Sequence, residues 1–255
     1  MNTPEKKKNV KKNKLKPVKA YKTRASGKIK TIGTRNESSL HRALKFQYTG
    51  DDGETEKTAG QFVADGRRAD GEFIEVQTGS FAPLKKKVIE LAAINKVRII
   101  HPVAVKKMIE VYKPGKKGVL LYRRKSPVTG TYWKIFDALV YAPTLPLIRR
   151  VTIEIVLVDI TEKRVKDGKG SWRRKGISIK DKALTERHES ILLKKPADYL
   201  KFVPFKKKEE FTSSSLAQSA GINKWTAQKA LYVLTKLEVV KRTGKQGNSW
   251  KYVRK

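Results

Sequence analysis

Three side chains stand out for what their types and spacing could do. Asp65 closes the short apolar run Phe62-Val63-Ala64. Glu75 and Gln77 follow ten and twelve residues later, inside Phe73-Ile74-Glu75-Val76-Gln77. Residues two apart on a strand face the same way, so Glu75 and Gln77 share one face and Ile74 and Val76 take the other. A carboxylate on such an apolar strand is costly to bury without a partner. A hard divalent cation would be that partner, held by Asp65, Glu75 and the backbone carbonyl of Val76. Waters would complete an oxygen octahedron suited to Mg²⁺ (or Mn²⁺). A centre of this kind polarises an anionic oxygen and activates water.

The surrounding pattern supplies elements to hold these groups. A helix is expected from near Thr34 to about Tyr48, with Leu40, Leu44 and Tyr48 four apart on one face. Glu37 lies three and seven residues before Leu40 and Leu44 and so joins the same stripe, although Thr34-x-x-Glu37 also reads as a capping box. His41, on that stripe, reads as a packed histidine. A Gly/Asp turn at 50–53 leads to a strand-like run at 54–66, a turn at 66–71 and a strand over Glu72–Thr78. Asp70 and Glu72 flank the turn and read as solvated. Ser80 can cap a helix over about 82–94 with Leu84, Val88 and Leu91 inward, and Val97–Val103 is a buried-type strand. If 54–66 holds two short strands, the order is α-β-β-β-α-β.

Residues 105–205 are less regular. Strands are expected at 107–112, 118–124 and 150–158, a helix near 132–141, and a basic hairpin over Asp167–Gly176. Three domains follow: a disordered basic tail at 1–34, an α/β core with a mixed sheet and a β-rich extension at 35–205, and a small module at 206–255 after a charged junction. In that module Phe211–Ala220 forms a short helix and Gly221 the turn. Asn223 caps a longer helix carrying Trp225, Ala227, Ala230, Leu231, Leu234 and Leu237. Val239–Thr243 and Ser249–Arg254 make a two-stranded wing about a turn at Gly244–Gly247. This is the pattern of a winged helix-turn-helix, whose second helix enters the DNA major groove. Its candidate contacts are Asn223, Lys224, Thr226, Gln228 and Lys229 on the helix, and Lys241, Arg242, Lys245 and Gln246 on the wing.

Charge narrows the partner. The 255-residue chain carries a formal net charge of +35. Residues 1–34 alone hold 12 Lys/Arg against one Glu, too polar a segment to offset chain entropy by burial. Phosphates neutralised by such residues release counterions, so a nucleic acid is expected, DNA above RNA because of the wing. The basic residues recur along the whole chain instead of one amphipathic helix, which disfavours a membrane partner. A homodimer is compatible with this reading. The absence of cysteine excludes thiolate zinc sites and disulfides. His41, His101 and His188 are too scattered to suggest a histidine cluster. No apolar run approaches membrane-helix length and the lysine-rich start lacks an apolar signal core; the expectation is a soluble, cytoplasmic protein.

Val63-Ala-Asp65 followed by Phe73-Ile-Glu75-Val-Gln77-Thr-Gly79 resembles the signature of the PD-(D/E)xK nuclease superfamily. The longer run Glu75–Lys87, with Gly170–Gly176 and the winged helix, resembles an uncharacterised prokaryotic nuclease-like family with an E-x-Q motif, over about residues 35–255. The resemblance implies a restriction-endonuclease-like core and Mg²⁺-dependent hydrolysis of DNA phosphodiesters. It implies catalytic roles for Asp65, Glu75 and Gln77, and one for Glu37, because the superfamily often uses an acid from its first helix. The superfamily pattern has lysine where this chain has Gln77, which can orient a water but carries no charge. Lys87 on the following helix, or Lys85, would restore the cation, although both also fit a solvated basic face. Arg173 and Arg174, and Arg123, Arg124 and Lys125, would grip the nucleic-acid backbone. The alternative is a DNA-binding protein whose nuclease core has lost activity, acting as a regulator or structural factor.

Overall fold

The computed structural model describes residues 37–115 and 118–255. The basic tail expected at 1–34 lies outside them, as does Thr34 of the expected capping box.

The first helix, α1 (Ser39–Thr49), starts later than the periodicity predicts. Ser38 caps it, its hydroxyl accepting the His41 N–H, so Glu37 stands just ahead of the helix instead of inside its first turn. The helix start is anchored across the sheet: Ser39 donates its N–H and hydroxyl to the Asp181 carboxylate at 2.8 and 2.7 Å, a favourable place for negative charge. The run at 54–66 resolves into two strands, β1 (Glu54–Ala59) and β2 (Phe62–Arg67). Then come β3 (Phe73–Val76), α2 (Leu84–Ile94) and β4 (Val97–Tyr112). The α-β-β-β-α-β order is therefore present. Ser80 is not the cap of α2; Pro83 holds that position, and the Ser80 hydroxyl accepts the N–H of Ala82 within the preceding turn.

One mixed sheet organises the core, in the order β1-β2-β3-β4-β6-β7, with β5 (Leu120–Lys125) also on β4. The β3–β4 pair is parallel, with α2 as the crossover, and β4 runs parallel to β6 (Val151–Val165). Leu40, Leu44 and Tyr48 of α1 pack with Ile74, Val76, Ile100, Val156 and Val158. A separate, larger cluster takes in Phe73, Val88, Leu91, Ile99 and Ile153. Gly66 lets α1 approach β2 closely: a Cβ there would meet the Thr49 hydroxyl at 2.0 Å.

The strand expected at 107–112 is the far half of β4, and those at 118–124 and 150–158 are β5 and a longer β6. The helix expected near 132–141 is a 3-10 turn at Tyr132–Lys134 running into a short α3 (Ile135–Leu139). A sixteen-residue strand absent from the sequence reading, β7 (Ser178–Leu193), pairs antiparallel with β6.

C-terminal to these, β8 (Phe211–Thr212) leads into α4 (Ser213–Ala220). Gly221 turns the chain at φ 63°, and α5 (Lys224–Lys236) follows with the Asn223 side chain accepting the Thr226 N–H. A hairpin of β9 (Val240–Gln246) and β10 (Ser249–Arg254) completes a three-stranded sheet in the order β8-β10-β9. Residues Asn36–Lys255 form one compact unit, so the charged junction at 206–210 is not a break in the packing. Trp225 does not join the core of α5; it is 68% exposed.

Candidate functional site

The backbone forks between β2 and β3. These strands pair only at Arg67–Phe73 and Gly66–Ile74. Beyond that point each strand's free N–H is taken by a carboxylate from the other strand. The Val76 N–H donates to Asp65 Oδ2 at 2.8 Å, and the Asp65 N–H to Glu75 Oε1 at 3.3 Å. Side chains thus replace ladder bonds where the strands part, and both acids are held at one spot.

Glu75 is 1% exposed. Burial, then the neighbouring charge of Asp65, pushes its carboxyl up to about 7, against the opposing pull of Lys87. Lys87 comes from α2, with Nζ 2.6 Å from Oε1 and 2.7 Å from Oε2. The cationic partner that a buried Glu75 requires is thus supplied by the chain itself. Burial also acts to raise Asp65, but a hydrogen bond from His41, another from the Val76 N–H, and the charges of His41 and Lys87 hold it below the usual carboxylate range.

His41 connects the fork to α1. Its Nε2 is 3.0 Å from Asp65 Oδ2 and 3.7 Å from Glu37 Oε1. Glu37 is therefore one imidazole removed from Asp65, and its main partner is Lys45 at 3.0 Å. Its expected seat on the inward stripe of the helix is corrected accordingly: with Ser38 as cap, Glu37 folds back over the first turn. His41, read as a packing residue, is a direct partner of Asp65. Its signal was its place on the Leu40–Leu44 side of α1, which covers β2 and β3.

Gln77 lies one residue beyond β3. Its side-chain amide donates to the Ser80 carbonyl at 2.6 Å, so its hydrogen-bonding group serves the turn. The backbone carbonyl of Gln77 should accept from residue 102 in the parallel ladder, but that residue is proline and has no N–H. The ring of His101 fills the place, with Nδ1 2.7 Å from that oxygen. Of the two turn acids, Asp70 is exposed as expected. Glu72 is buried and pairs with Arg98 at 2.9 Å, which corrects its reading as solvated.

The donors at the fork are oxygens, the kind a hard cation takes; Asp65 Oδ2 and both Glu75 oxygens are already bonded, and Asp65 Oδ1 is without a partner among the described residues. Asp65 and Glu75 present carboxylate oxygens beside Val76, whose peptide lies at the point where the ladder opens. Lys87 occupies the position of competing charge.

The basic candidates divide. Asn223, Lys224 and Gln228 are exposed on α5, and Lys241, Arg242, Lys245 and Gln246 are exposed on β9. Asn223 spends its side-chain oxygen on the cap. Thr226 is half-buried. Lys229 is bound to Asp137 at 2.7 Å, against α3. Arg242 and Lys245 lie over the Trp250 ring, 4.6 and 4.8 Å from its centroid. Arg173 is exposed and lies over Trp172, whereas Arg174 donates to the Ile177 carbonyl. Arg124 and Lys125 are exposed, and Arg123 pairs with Glu110 at 3.3 Å.

A second acidic group escaped the sequence reading. Asp159, Glu186 and His188 offer ligand atoms that all lie within 4.8 Å of one another. Asp159 and Glu186 are register partners across β6 and β7. The alternation of Glu186 and His188 was visible, but nothing in the sequence paired it with Asp159. No helix among the described residues is long and apolar enough to cross a membrane.

A family model described as a domain of unknown function (DUF8091) matches residues 38–194, from the cap of α1 to the end of β7. It therefore encloses the fork and stops short of α4 and α5. An uncharacterized protein of Treponema pallidum (strain Nichols) is 28% identical over 189 residues, 74% of this chain and 74% of that protein. No solved structure matches.

Proposed function

The chain belongs to the DUF8091 family, and for it we propose a Mg²⁺-dependent DNA endonuclease with a restriction-endonuclease-like core and a C-terminal winged helix that holds the substrate. One observation carries the reading: Asp65, Glu75 and Lys87, two acids and a base from β2, β3 and α2, converge at the fork. The α-β-β-β-α-β order around them and the resemblance of the Asp65–Gln77 run support the same class.

In this reading Asp65, Glu75 and the Val76 carbonyl would hold Mg²⁺ (or Mn²⁺), which when bound would polarise the phosphoryl oxygen and make water a better nucleophile. The protein's own groups do the rest. His41 fixes the Asp65 carboxylate, and Glu37 steadies His41. Lys87 leaves its full pairing with Glu75 to offset the negative charge that grows on the phosphoryl oxygens as water attacks. The attacking water would form the new P–O bond and give up a proton to solvent, the P–O bond to the leaving oxygen would break, and that oxygen would take a proton from solvent. Gln77 shapes the turn beside the site and takes no part in the chemistry.

The winged-helix assignment rests on the α4–Gly221–α5 pair and the β9–β10 hairpin. Lys224, Gln228, Lys241 and Arg242 then face DNA, whereas Lys229 braces α5 on α3. Lys224→Ala should weaken duplex binding and lower its salt slope by about one, and Lys229→Ala should leave the slope unchanged. A gel shift across salt concentrations checks both; equal slopes for Lys224→Ala and wild type would remove this helix from the interface.

The deciding experiment is nicking of supercoiled plasmid with Mg²⁺ or Mn²⁺, wild type against Glu75→Ala. Nicking by the wild type alone supports the endonuclease. A specific observation favours a second reading: Lys87 pairs with both oxygens of Glu75, and the Gln77 amide is spent on Ser80. If both proteins bind DNA and neither cuts it under either metal, the chain is a DNA-binding protein on an inactive nuclease core.

A further inference from the structure

β4 is paired unevenly along one edge. Its first turn of ladder, Val97–Ile100, pairs with β3, and Met108–Tyr112 pairs with β5. Between them, residues 101–107 have no strand on that side. The gap opens as a cavity of about 400 Å³, near the small end of ligand pockets in general.

The cavity's walls differ in chemistry. Val158 and Ile160 of β6 give an apolar floor, and Tyr141, 68% exposed, stands at the rim. The turn Thr78-Gly79-Ser80 forms a third side. Its three N–H groups have no hydrogen-bond partner among the described residues, between Gln77, which donates to Ile100, and Phe81, which donates to Ala138. Lys182 also lines the cavity and makes no ion pair among the described residues, whereas Lys107 and Lys134 pair with Glu162 and Asp137.

His101 sets the polarity of the interior. It is 5% exposed, and Phe81 packs edge-on against its ring at 5.3 Å. Its Nδ1 faces a carbonyl, which only accepts, so Nδ1 carries the proton. Burial pushes the imidazole below its ordinary value, keeping it neutral. Nε2 is then a lone-pair acceptor, and it has no partner among the described residues.

We propose that this cavity binds a nucleotide: the base lies between Tyr141 and the apolar floor and donates an N–H to His101 Nε2, and the phosphate sits against Lys182 and the Thr78–Ser80 turn. Every natural base carries an N–H donor, so one acceptor suits all four. The turn's exposed N–H groups and a free ammonium suit a phosphate. Thr78 is three residues from Glu75, at most about 11 Å along the chain. The inference rests on the endonuclease reading for one of its two sources. The nucleotide is either free in solution or swung out of DNA bound at the fork.

Two arms separate the sources. In the first, the four deoxynucleoside monophosphates are titrated against the full chain by saturation-transfer NMR. In the second, a duplex with an unpaired 2-aminopurine is titrated, and its fluorescence reports unstacking. Nucleotide binding without a fluorescence rise supports the free source; a rise that Tyr141→Ala reduces supports the extruded one. His101→Phe should weaken either signal about tenfold, the usual worth of one buried hydrogen bond. Should that variant misfold, the exposed Tyr141→Ala and the rim variant Lys182→Ala provide the same test, with losses of a few fold. No binding in either arm, or binding indifferent to all three substitutions, overturns the proposal. Duplex affinity by gel shift, measured alongside, tells apart a failed pocket from a failed DNA-binding reading. Nucleotide binding by a protein that cuts no DNA would leave the pocket standing and remove the nuclease.

Discussion

Two groups of acids sit on the same sheet and differ in what surrounds them. At the fork, Asp65 and Glu75 stand where two strands part, each bound to the other strand's N–H, with Lys87 against Glu75 and His41 against Asp65. At the far side, Asp159 and Glu186 face each other across an intact β6–β7 pair, next to a register shift, and His188 bonds Asp159 at 3.0 Å. The second group brings three ligand-type atoms within 4.8 Å of one another. Yet Glu186 is exposed, and Asp159 already has His188, the Lys106 N–H and Lys106 Nζ. Closeness alone is cheap on a strand surface, where neighbours in register meet whatever their role. Asp159 is buried too, at 8% exposure; the fork differs in that Glu75 lies deeper, at 1%, and stands where the ladder opens instead of across a paired strand, and its burial raises its proton affinity.

Glu75→Ala and Glu186→Ala put the contrast to the largest test. The first should reduce metal-dependent plasmid nicking to the metal-free background, and the second should leave it within about twofold, as expected for a surface substitution. The reverse result would move the centre to the β6–β7 group. Next in size is Lys87→Ala. Losing the cation that offsets phosphoryl charge should lower the nicking rate by about 10²–10³, and Lys106→Ala, its counterpart beside Asp159, should not. His41→Ala acts through Asp65 and should weaken Mn²⁺ binding by about 10–100-fold, read by titration calorimetry. His188→Ala should leave that affinity alone.

How far the sequence discloses each region follows from how its signal is written. The fork is local: Asp65, Glu75 and Lys87 fall within 23 consecutive residues. An apolar alternation gives the strands, and Leu84, Val88 and Leu91 give the helix face that presents Lys87. The order from α1 to β4 is legible for the same reason. β7 is not, because its residues from Lys180 to Glu189 are mostly charged or polar and mostly not buried. Its ladder with β6 places it, and ladders are not written in hydrophobic periodicity. Long-range partners are equally silent. Arg98 reaching Glu72 and Glu154, and Lys229 reaching Asp137, depend on which elements meet. Trp225, whose helical spacing alone does not decide between core and surface, is turned outward by α5. The start of α1 was misplaced by a few residues because Ser38, which the sequence reading did not single out as a cap, caps the helix.

The smallest effect is on stability, and it separates the two acids of the fork by sign of slope. In metal-free protein, Glu75 has an ordinary value of 4.5 when unfolded and about 7 when folded. Between those values the native state holds the extra proton, so this group's contribution makes stability fall as pH rises through the window and flatten above about 7. Asp65 works oppositely: its lowered folded value gives stability that is present above its ordinary 3.8 and lost as pH falls below it. Urea unfolding in EDTA at half-unit pH steps measures both. Glu75→Gln keeps the shape but cannot ionise, so its curve should lack the decline between pH 4.5 and 7 that the wild type shows. Glu186→Gln should retain that decline. If the wild type and Glu75→Gln curves run parallel through the window, Glu75 is not held in a buried, proton-hungry setting at the fork.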